Sequence, residues 1–427
     1  MRKSLLSIVS AGLVFSFCQN VFAQESAAPI KRCASMEYRQ WEEQQDPSIK
    51  VNRALIENQM KEYIESNKTT PATHAVITIP VVFHIVYKGT AQNVSDACIA
   101  AQLKVINDDY RKLNTDWTKV TQTGWSALVA DCEIQFCMAV RDPNNAPTNG
   151  ITRTSTTVAG FGTNNSVKKA STGGCDVWNR DKYFNIWVCD IGGGILGYAQ
   201  FPGGAAATDG LVIAYNYMVG SAGCGTSPYN LGRTATHELG HCFGLYHIWG
   251  DESACAADDG VTDTPMQGPE HYGCFTAGSV QTDACSASSP GTMWMNYMDY
   301  TDDACMYMFT AGQKAKLVAT MNGPRVALKT SNGCTPLTAV EYLNYNESIS
   351  LYPNPSSGEV TLNINIPIIS SADVTVFNSL GETVISKNSV PTNMETKLDL
   401  RNRPEGIYFV KIATTEGSVT KKVIISK

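Results

Sequence analysis

The rhythm of apolar and polar positions changes several times along the chain. Arg2 and Lys3 form a short basic start, followed by a largely apolar run over residues 5–17. That run is too short to span a bilayer well. It closes on Val21-Phe22-Ala23, an acceptable cleavage signature before Gln24, so residues 1–23 read as a secretory signal peptide. Cys18 would suit a lipoprotein site only if a small residue preceded it, and bulky Phe17 stands there, which favours ordinary cleavage. Residues 24–73 are polar. Within them residues 38–68 carry a helical charge pattern, with Trp41, Ile49, Leu55, Ile56, Met60 and Ile64 as an intermittent apolar stripe and a break at Pro47-Ser48. Residues 68–73 read as an exposed linker. A helical segment without a core of its own has to lean on something else, as a propeptide does, and residues 24–74 are read that way.

The texture changes at Ala75. Residues 76–86 are β-branched and apolar and predict a buried strand. His84 inside it reads as a packed core residue rather than a ligand. Residues 95–117 follow with helical periodicity, Ile99, Leu103, Ile106 and Tyr110 recurring at spacings of three and four. Residues 132–140 and 184–189 predict two further strands. Residues 192–204, GGGILGYAQFPGG, read as a short strand with glycine kinks at both ends. From about residue 344 the pattern turns to short alternating segments: 349–351, 360–364, 372–377, 382–386, 396–400, 407–412 and 419–425. Turns such as Asn354-Pro355 and Ser357-Gly358 separate them, which predicts a small all-β sandwich over residues 345–427 behind a linker at 326–344.

Composition narrows the class. The chain has 427 residues, 43% of them hydrophobic, enough for two or three domains with real cores. Its net charge is −6 and no dense basic block occurs, so nucleic-acid binding has no electrostatic support. No segment beyond the N-terminal run is long and apolar enough for a membrane span. Fourteen cysteines point to an oxidising compartment. Loss of Cys18 with the signal peptide leaves 14 − 1 = 13, and an odd number implies a free thiol, an intermolecular bond or a metal ligand.

The chemistry concentrates in residues 237–247, HELGHCFGLYH. Three of the chain's six histidines fall there. His237 and His241 stand four apart, on one face of a helix, at the spacing two zinc ligands need. Glu238 lies beside the metal position rather than facing it, placed to take a proton from a water that the ion activates. On a continued helix His247 would sit about 240° further round, away from the ion. The chain must turn, and Gly244 is placed to turn it. Three neutral histidines with one open position make a catalytic rather than a structural zinc site. Beyond the motif, Asp251, Asp258, Asp259, Asp263 and Thr264 supply hard oxygen ligands in a turn-rich stretch. They suit calcium without EF-hand spacing, or are solvated loop acids. Residues 291–309 hold five of the 13 methionines, usually a sign of core packing.

HExxHxxGxxH resembles the metzincin clan of metallopeptidases, and Asn296-Tyr297-Met298-Asp299-Tyr300 resembles its Met-turn. With GRTATHELGH, HIWGD, DDGVTDTP and MDYTDDACM, residues 75–325 are similar to the pappalysin group, in its cytophagalysin-like bacterial branch. The resemblance implies an α/β (α+β) catalytic domain with a twisted mixed sheet and a zinc helix. It implies zinc on His237, His241 and His247, Glu238 as general base and acid, Met298 as the floor below the histidines, and Tyr300 as a donor to the oxyanion. It implies structural calcium, with Asp259 and Thr264 at matching positions, and the disulfides Cys255–Cys285 and Cys274–Cys305. Residues 192–204 become the edge strand to which an extended peptide substrate adds. Related propeptides place a cysteine on the open zinc position. Cys33 fits that role and twelve cysteines then remain to pair; alternatively Cys33 is itself disulfide-bonded and the odd thiol is elsewhere, as at Cys242. Relatives that cut beside Arg or Lys carry an acid just before the cysteine matching Cys305. Here Ala304 stands there, with Asp303 one residue earlier, a departure that leaves basic specificity open.

LYPNPSSGEV, VFNSLGE, GIYFVKI and KKVIISK resemble the C-terminal sorting domain of type IX secretion, implying a Gram-negative bacterium and export through the periplasm to the surface or medium. The expected function is a secreted zinc endopeptidase made as a zymogen. The competing expectations are a surface binding protein with a degraded metal site, and a zinc hydrolase of non-peptide substrates. Intact Glu238 and Tyr300 argue against the first, and a strand-shaped cleft against the second.

Overall fold

The computed structural model describes residues 30–68, 75–121, 124–251, 254–336, 348–365, 370–414 and 417–427. The expected signal peptide with Cys18, residues 69–74 of the first linker and residues 337–347 of the second lie outside them.

Two helices come first, α1 (Ser35–Gln45) and α2 (Ser48–Asn67). They divide where the sequence expects a break. Asp46 Oδ1 accepts from the Ser48 amide at 2.9 Å and its hydroxyl at 2.7 Å, holding the first residue of α2 just after Pro47, which has no amide to donate. Of the expected apolar stripe, Ile49 and Met60 are buried while Leu55 is exposed.

A mixed sheet follows. Its long central strand β1 (Ile77–Tyr87) is buried over most of its length, as its continuous apolar run requires. Helix α3 (Asp96–Tyr110) then leads to β2 (Ile134–Met138), β3 (Ile151–Ser155), β4 (Phe184–Cys189), β5 (Gly197–Ala199), β6 (Leu211–Ala214) and helix α4 (Arg233–Cys242). One side of β1 carries β2 on its first half, Ile77 opposite Ile134, and β3 on its second, Phe83 opposite Ile151. The other side pairs in parallel with β4, and β4 with β6. Strand β5 closes the edge antiparallel to β6. The core against α3 and α4 includes Phe83, Ile106, Tyr110, Ile186 and Leu239. The opposite face packs Trp187, Tyr198 and Val212 around Tyr38 of α1. His84 is a core residue, bonded to Thr152 at 2.8 Å and Asn185 at 2.9 Å.

The expected helix over 95–117 ends early. Lys112 takes a φ of 51°, and Thr115–Lys119 forms a separate 3₁₀ turn. Strands β3 and β6 and helix α5 (Ala311–Asn322) were not read from the sequence. Thr310 and Gln313 form a capping box that starts α5.

Four disulfides are present: Cys98–Cys224, Cys137–Cys334, Cys255–Cys285 and Cys274–Cys305. The expectation that twelve cysteines pair is therefore corrected to eight. Cys33, Cys132, Cys175, Cys189 and Cys242 are all free. Cys132, Cys189 and Cys242 are buried among apolar side chains and act as small hydrophobes. Parity thus gives Cys33 no special standing, and its case rests on geometry.

The tail is all β: β7 (Ile349–Tyr352), β8 (Glu359–Ile364), β9 (Ser371–Phe377), β10 (Thr383–Pro391), β11 (Glu395–Asp399), β12 (Gly406–Thr414) and β13 (Gly417–Ile425). Sheets ordered β10-β9-β12-β13 and β11-β8-β7 enclose Val360, Leu362, Val374, Val376, Leu398, Val410 and Val423. Among the described residues no helix is long and apolar enough to cross a membrane.

Ile186 sits fully buried at the middle of β4. Ile186→Ala should cost roughly 2–5 kcal/mol, transfer and cavity terms together. Tryptophan fluorescence during urea unfolding checks this selectively, because all seven tryptophans precede residue 326.

Candidate metal centre and cleft

Helix α4 presents His237 and His241 on one face and ends just after Cys242. Gly244, at φ 89°, then reverses the chain. A Cβ there would lie 3.0 Å from the Met60 methyl, a second reason for glycine. The Leu245 amide donates back to Gly240 O at 2.9 Å, and the turn brings His247 under the helix. The Nε2 atoms of His237, His241 and His247 converge to separations of 3.1, 3.1 and 3.3 Å.

Those contacts are not hydrogen bonds. His237 Nδ1 donates to Tyr297 O at 2.7 Å, His241 Nδ1 to Leu245 O at 2.8 Å, and His247 Nδ1 to Asp251 at 2.6 Å. Each partner is an acceptor, so each ring proton sits on Nδ1 and each Nε2 offers a lone pair. Burial holds His237 and His241 well below the ordinary imidazole range, with the neighbouring rings adding to it, so they stay neutral. Three lone pairs facing one point repel unless a cation lies between them. The edge of a tetrahedron with metal–nitrogen bonds of 2.0–2.1 Å is about 3.3 Å, which these separations match. The donor set therefore fits a zinc-sized ion. Cys33 Sγ joins the three nitrogens, all four ligand atoms lying within 4.8 Å of one another.

Glu238, next on the helix, is fully buried against β5. A Cβ on Gly197 would lie 2.9 Å from Glu238 Cγ, so glycine lets the strand approach the carboxylate. Its Oε2 accepts from Ser35 Oγ at 2.6 Å and lies 3.5 Å from Cys33 Sγ, while Oε1 has no hydrogen-bond partner among the described residues. Burial pushes this carboxyl up to about 8, against the opposing pull of Ser35, Cys33 and Arg32. Burial and the charge of Glu238 likewise raise the Cys33 thiol.

Residues 31–35 run along residues 194–199, the segment that ends in β5. Lys31 pairs in parallel with Ile195, its amide donating to Gly194 O at 2.9 Å and its carbonyl accepting from Leu196 at 3.0 Å. The Ala34 amide reaches Gly197 O at 3.0 Å, and the Ala199 amide donates to Ser35 Oγ at 2.8 Å. Beyond them Tyr38 is fully buried, its phenol 2.6 Å from Asn165, 3.2 Å from Gln200, and accepting from Lys168 Nζ at 3.3 Å. Neither Ser35 nor Tyr38 was singled out in the sequence; Tyr38 was read only as the start of a helical pattern.

Arg32 is 1% exposed, and its Nη2 pairs with Asp303 Oδ1 at 2.8 Å. Asp303 opens a 3₁₀ turn over residues 303–305. Its other oxygen accepts from the Leu231 amide at 2.9 Å and the Arg233 amide at 3.2 Å.

Met298 lies under the helix, its sulfur against Gly240 where a Cβ would clash. The Tyr300 hydroxyl is 3.1 Å from His247 Nε2, and His247 stacks on Trp249 at 4.4 Å. Of the acids after the motif, Asp251 is engaged by His247, and Asp263 accepts from Thr310 at 2.7 Å and Gly312 at 2.8 Å. Asp259 and Thr264 meet, hydroxyl to carboxylate, at 2.7 Å. Asp259 Oδ2 is buried without a partner among the described residues, and burial lifts that carboxyl to about 7.

Residues 168–322 match the family model described as pregnancy-associated plasma protein-A, and residues 350–426 that of the secretion system C-terminal sorting domain. An extracellular metalloprotease of Arthroderma gypseum is 30% identical over 62% of this chain and 79% of its own length. That of Pyricularia oryzae is 33% identical over 59% and 77%. A Tannerella forsythia promirolysin mutant is 39% identical over 71% of this chain and 98% of that one, with a TM-score of 0.64. The chain belongs to the pappalysin family. The pappalysin relatives also include mature T. forsythia mirolysin in complex with a cleaved peptide, 44% identical over 61% of this chain, with a TM-score of 0.58. This pappalysin is accordingly a metalloendopeptidase, and its sorting domain assigns it to secretion or the cell surface.

Tyr38→Ala should empty the largest apolar contact of α1. We expect the full chain to lose about 3–5 kcal/mol and to convert faster to active enzyme. Calorimetry and a time course of casein hydrolysis check both.

Proposed function

We propose that the chain is a zinc endopeptidase kept latent by residues 24–74, with residues 75–325 as catalytic domain, 326–344 as linker and 345–427 as sorting tail. The observation that carries the reading is the convergence of three lone-pair-bearing nitrogens beside a buried carboxylate. His237, His241 and His247 would hold the ion, with Cys33 as fourth ligand in the precursor. Zinc held there would supply Lewis acidity, polarising a carbonyl and acidifying water.

The chain's own groups do the rest. Strand β5 offers its outer edge to an extended substrate backbone, the edge that Lys31 and Ala34 use in the precursor. Once Ser35 leaves, Glu238 can take the proton of the attacking water and return it to the departing amine. The Tyr300 phenol, aimed at the same point as the histidines, donates to the oxygen on which charge develops. Met298 holds α4 from below. The Asp303 carboxylate supports a preference for basic side chains, a pocket Arg32 fills in the precursor. Asp259 and Thr264 are proposed for calcium, since a cation would satisfy the unpartnered carboxylate oxygen. The tail's match to sorting domains supports passage through the periplasm of a Gram-negative bacterium by the type IX machinery.

Glu238→Ala should retain zinc, measured by elemental analysis, yet lose casein hydrolysis by at least about a hundredfold. Undiminished turnover would refute the assigned role. Cys33→Ala should shorten the lag before the purified precursor becomes active, and an unaltered lag would remove Cys33 from the latency mechanism.

A further inference from the structure

We propose that the Asp303 pocket reads a guanidinium rather than positive charge in general, and that Tyr229 makes the distinction. The inference rests on the reading of Arg32 as a group lying where a substrate side chain lies. The Asp303 charge alone would admit Arg or Lys alike; the walls of this pocket separate the two.

Asp303 forms the base of the pocket and is fully buried. Only its Oδ1 faces the ligand, because the amides of Leu231 and Arg233 occupy Oδ2. Those amides belong to the segment that carries Tyr229, so the charged base and the aromatic wall are tied together. The Arg32 Cζ lies 4.5 Å from the Tyr229 ring centroid. Tyr229 is itself nearly buried, held by its amide bond to Thr226 O at 3.0 Å and by edge packing on Tyr217 at 6.4 Å. The remaining contact is soft: Met306 Sδ lies 3.0 Å from Arg32 Nη2. Arg32 Nε and Nη1 have no hydrogen-bond partner among the described residues.

The direct contacts are one carboxylate oxygen, one thioether and one π face, with Asp302 acting at longer range. A guanidinium suits them. Its charge is delocalised and weakly hydrated, one edge meets the carboxylate, and its flat face covers the ring. A lysine ammonium is compact and strongly hydrated, carries three donors, and has no plane to lay on Tyr229. It would surrender its water for a single good acceptor. Tyr229 is thus a specificity-determining residue, and Asp303 supplies the charge that both side chains need.

The test uses the activated enzyme and three peptides identical except for Arg, Lys or citrulline at one position, with cut sites mapped by mass spectrometry. Citrulline keeps the arginine shape without the charge. We expect kcat/KM for Arg to exceed that for Lys by about 30-fold, the scale of a desolvated cation–π contact, with citrulline well below Arg. Tyr229→Leu should bring the Arg-to-Lys ratio close to one, and Tyr229→Phe should restore it. Equal cleavage of the Arg and Lys peptides by wild-type enzyme overturns the inference, as does a ratio that survives Tyr229→Leu. Should the Leu variant not fold, the wild-type ratio decides alone. Absence of hydrolysis of casein and all three peptides would overturn the peptidase reading as well, which keeps the two failures apart.

Discussion

Three lone pairs are made to face one another inside a closed protein. That constraint governs the rest of the architecture. Tyr297 O, Leu245 O and Asp251 each draw a ring proton to Nδ1, and burial denies His237 and His241 the option of protonation. The turn at Gly244, the Met298 sulfur beneath Gly240 and the ring stack on Trp249 all keep the third histidine in the convergence. Each feature is costly or ordinary alone. Together they leave a site that is electrostatically incomplete without a cation, which is how a metal site becomes selective for having a metal at all.

The precursor segment answers the cleft group by group. A thiol meets the histidines, a hydroxyl meets the buried carboxylate, a guanidinium meets Asp303, and a phenol fills the amphipathic cavity over Lys168. On the proposed reading, latency is spread over several anchors carried by one segment. Because they are covalently linked, each anchor raises the effective concentration of the others, and weakening any one loosens the whole segment. The shared hydrogen bonds of Lys31 and Ala34 with β5 show the same economy: the backbone that blocks the edge strand uses the groups a substrate backbone would use.

Much of this was legible in the sequence, and the reasons for the gaps are physical. HExxHxxGxxH encodes ligand geometry through helical spacing, so residues 237–247 could be read directly. The tail strands alternate cleanly because each sheet has one wet face, and their seven segments correspond closely to β7–β13. Strands β3 and β6 gave less signal. The first is only partly buried, and the second is four fully buried residues, too short to separate from a loop. Cysteine parity misled, because Cys132, Cys189 and Cys242 are packed as apolar residues and never needed partners. The partnership of Asp303 was not legible, because a 3₁₀ turn over residues 303–305 and a segment far upstream create it together. Arg32 was in plain view beside Cys33, but its partner lies 271 residues away, a distance that no local pattern spans.

One bond far from the metal has mechanical consequences. Cys334, just before the stretch that leads to the sorting tail, is joined to Cys137 on β2, a neighbour of the central strand. The Val140 amide bonds to Gly333 O and the Arg141 guanidinium to Thr335 O beside it. A pull on the tail thus enters the enzyme through a covalent rivet into its sheet, and α5 is shielded from peeling. A cut beyond Pro336 would leave this attachment whole, since the disulfide and the Arg141 contact to Pro336 O both lie before it.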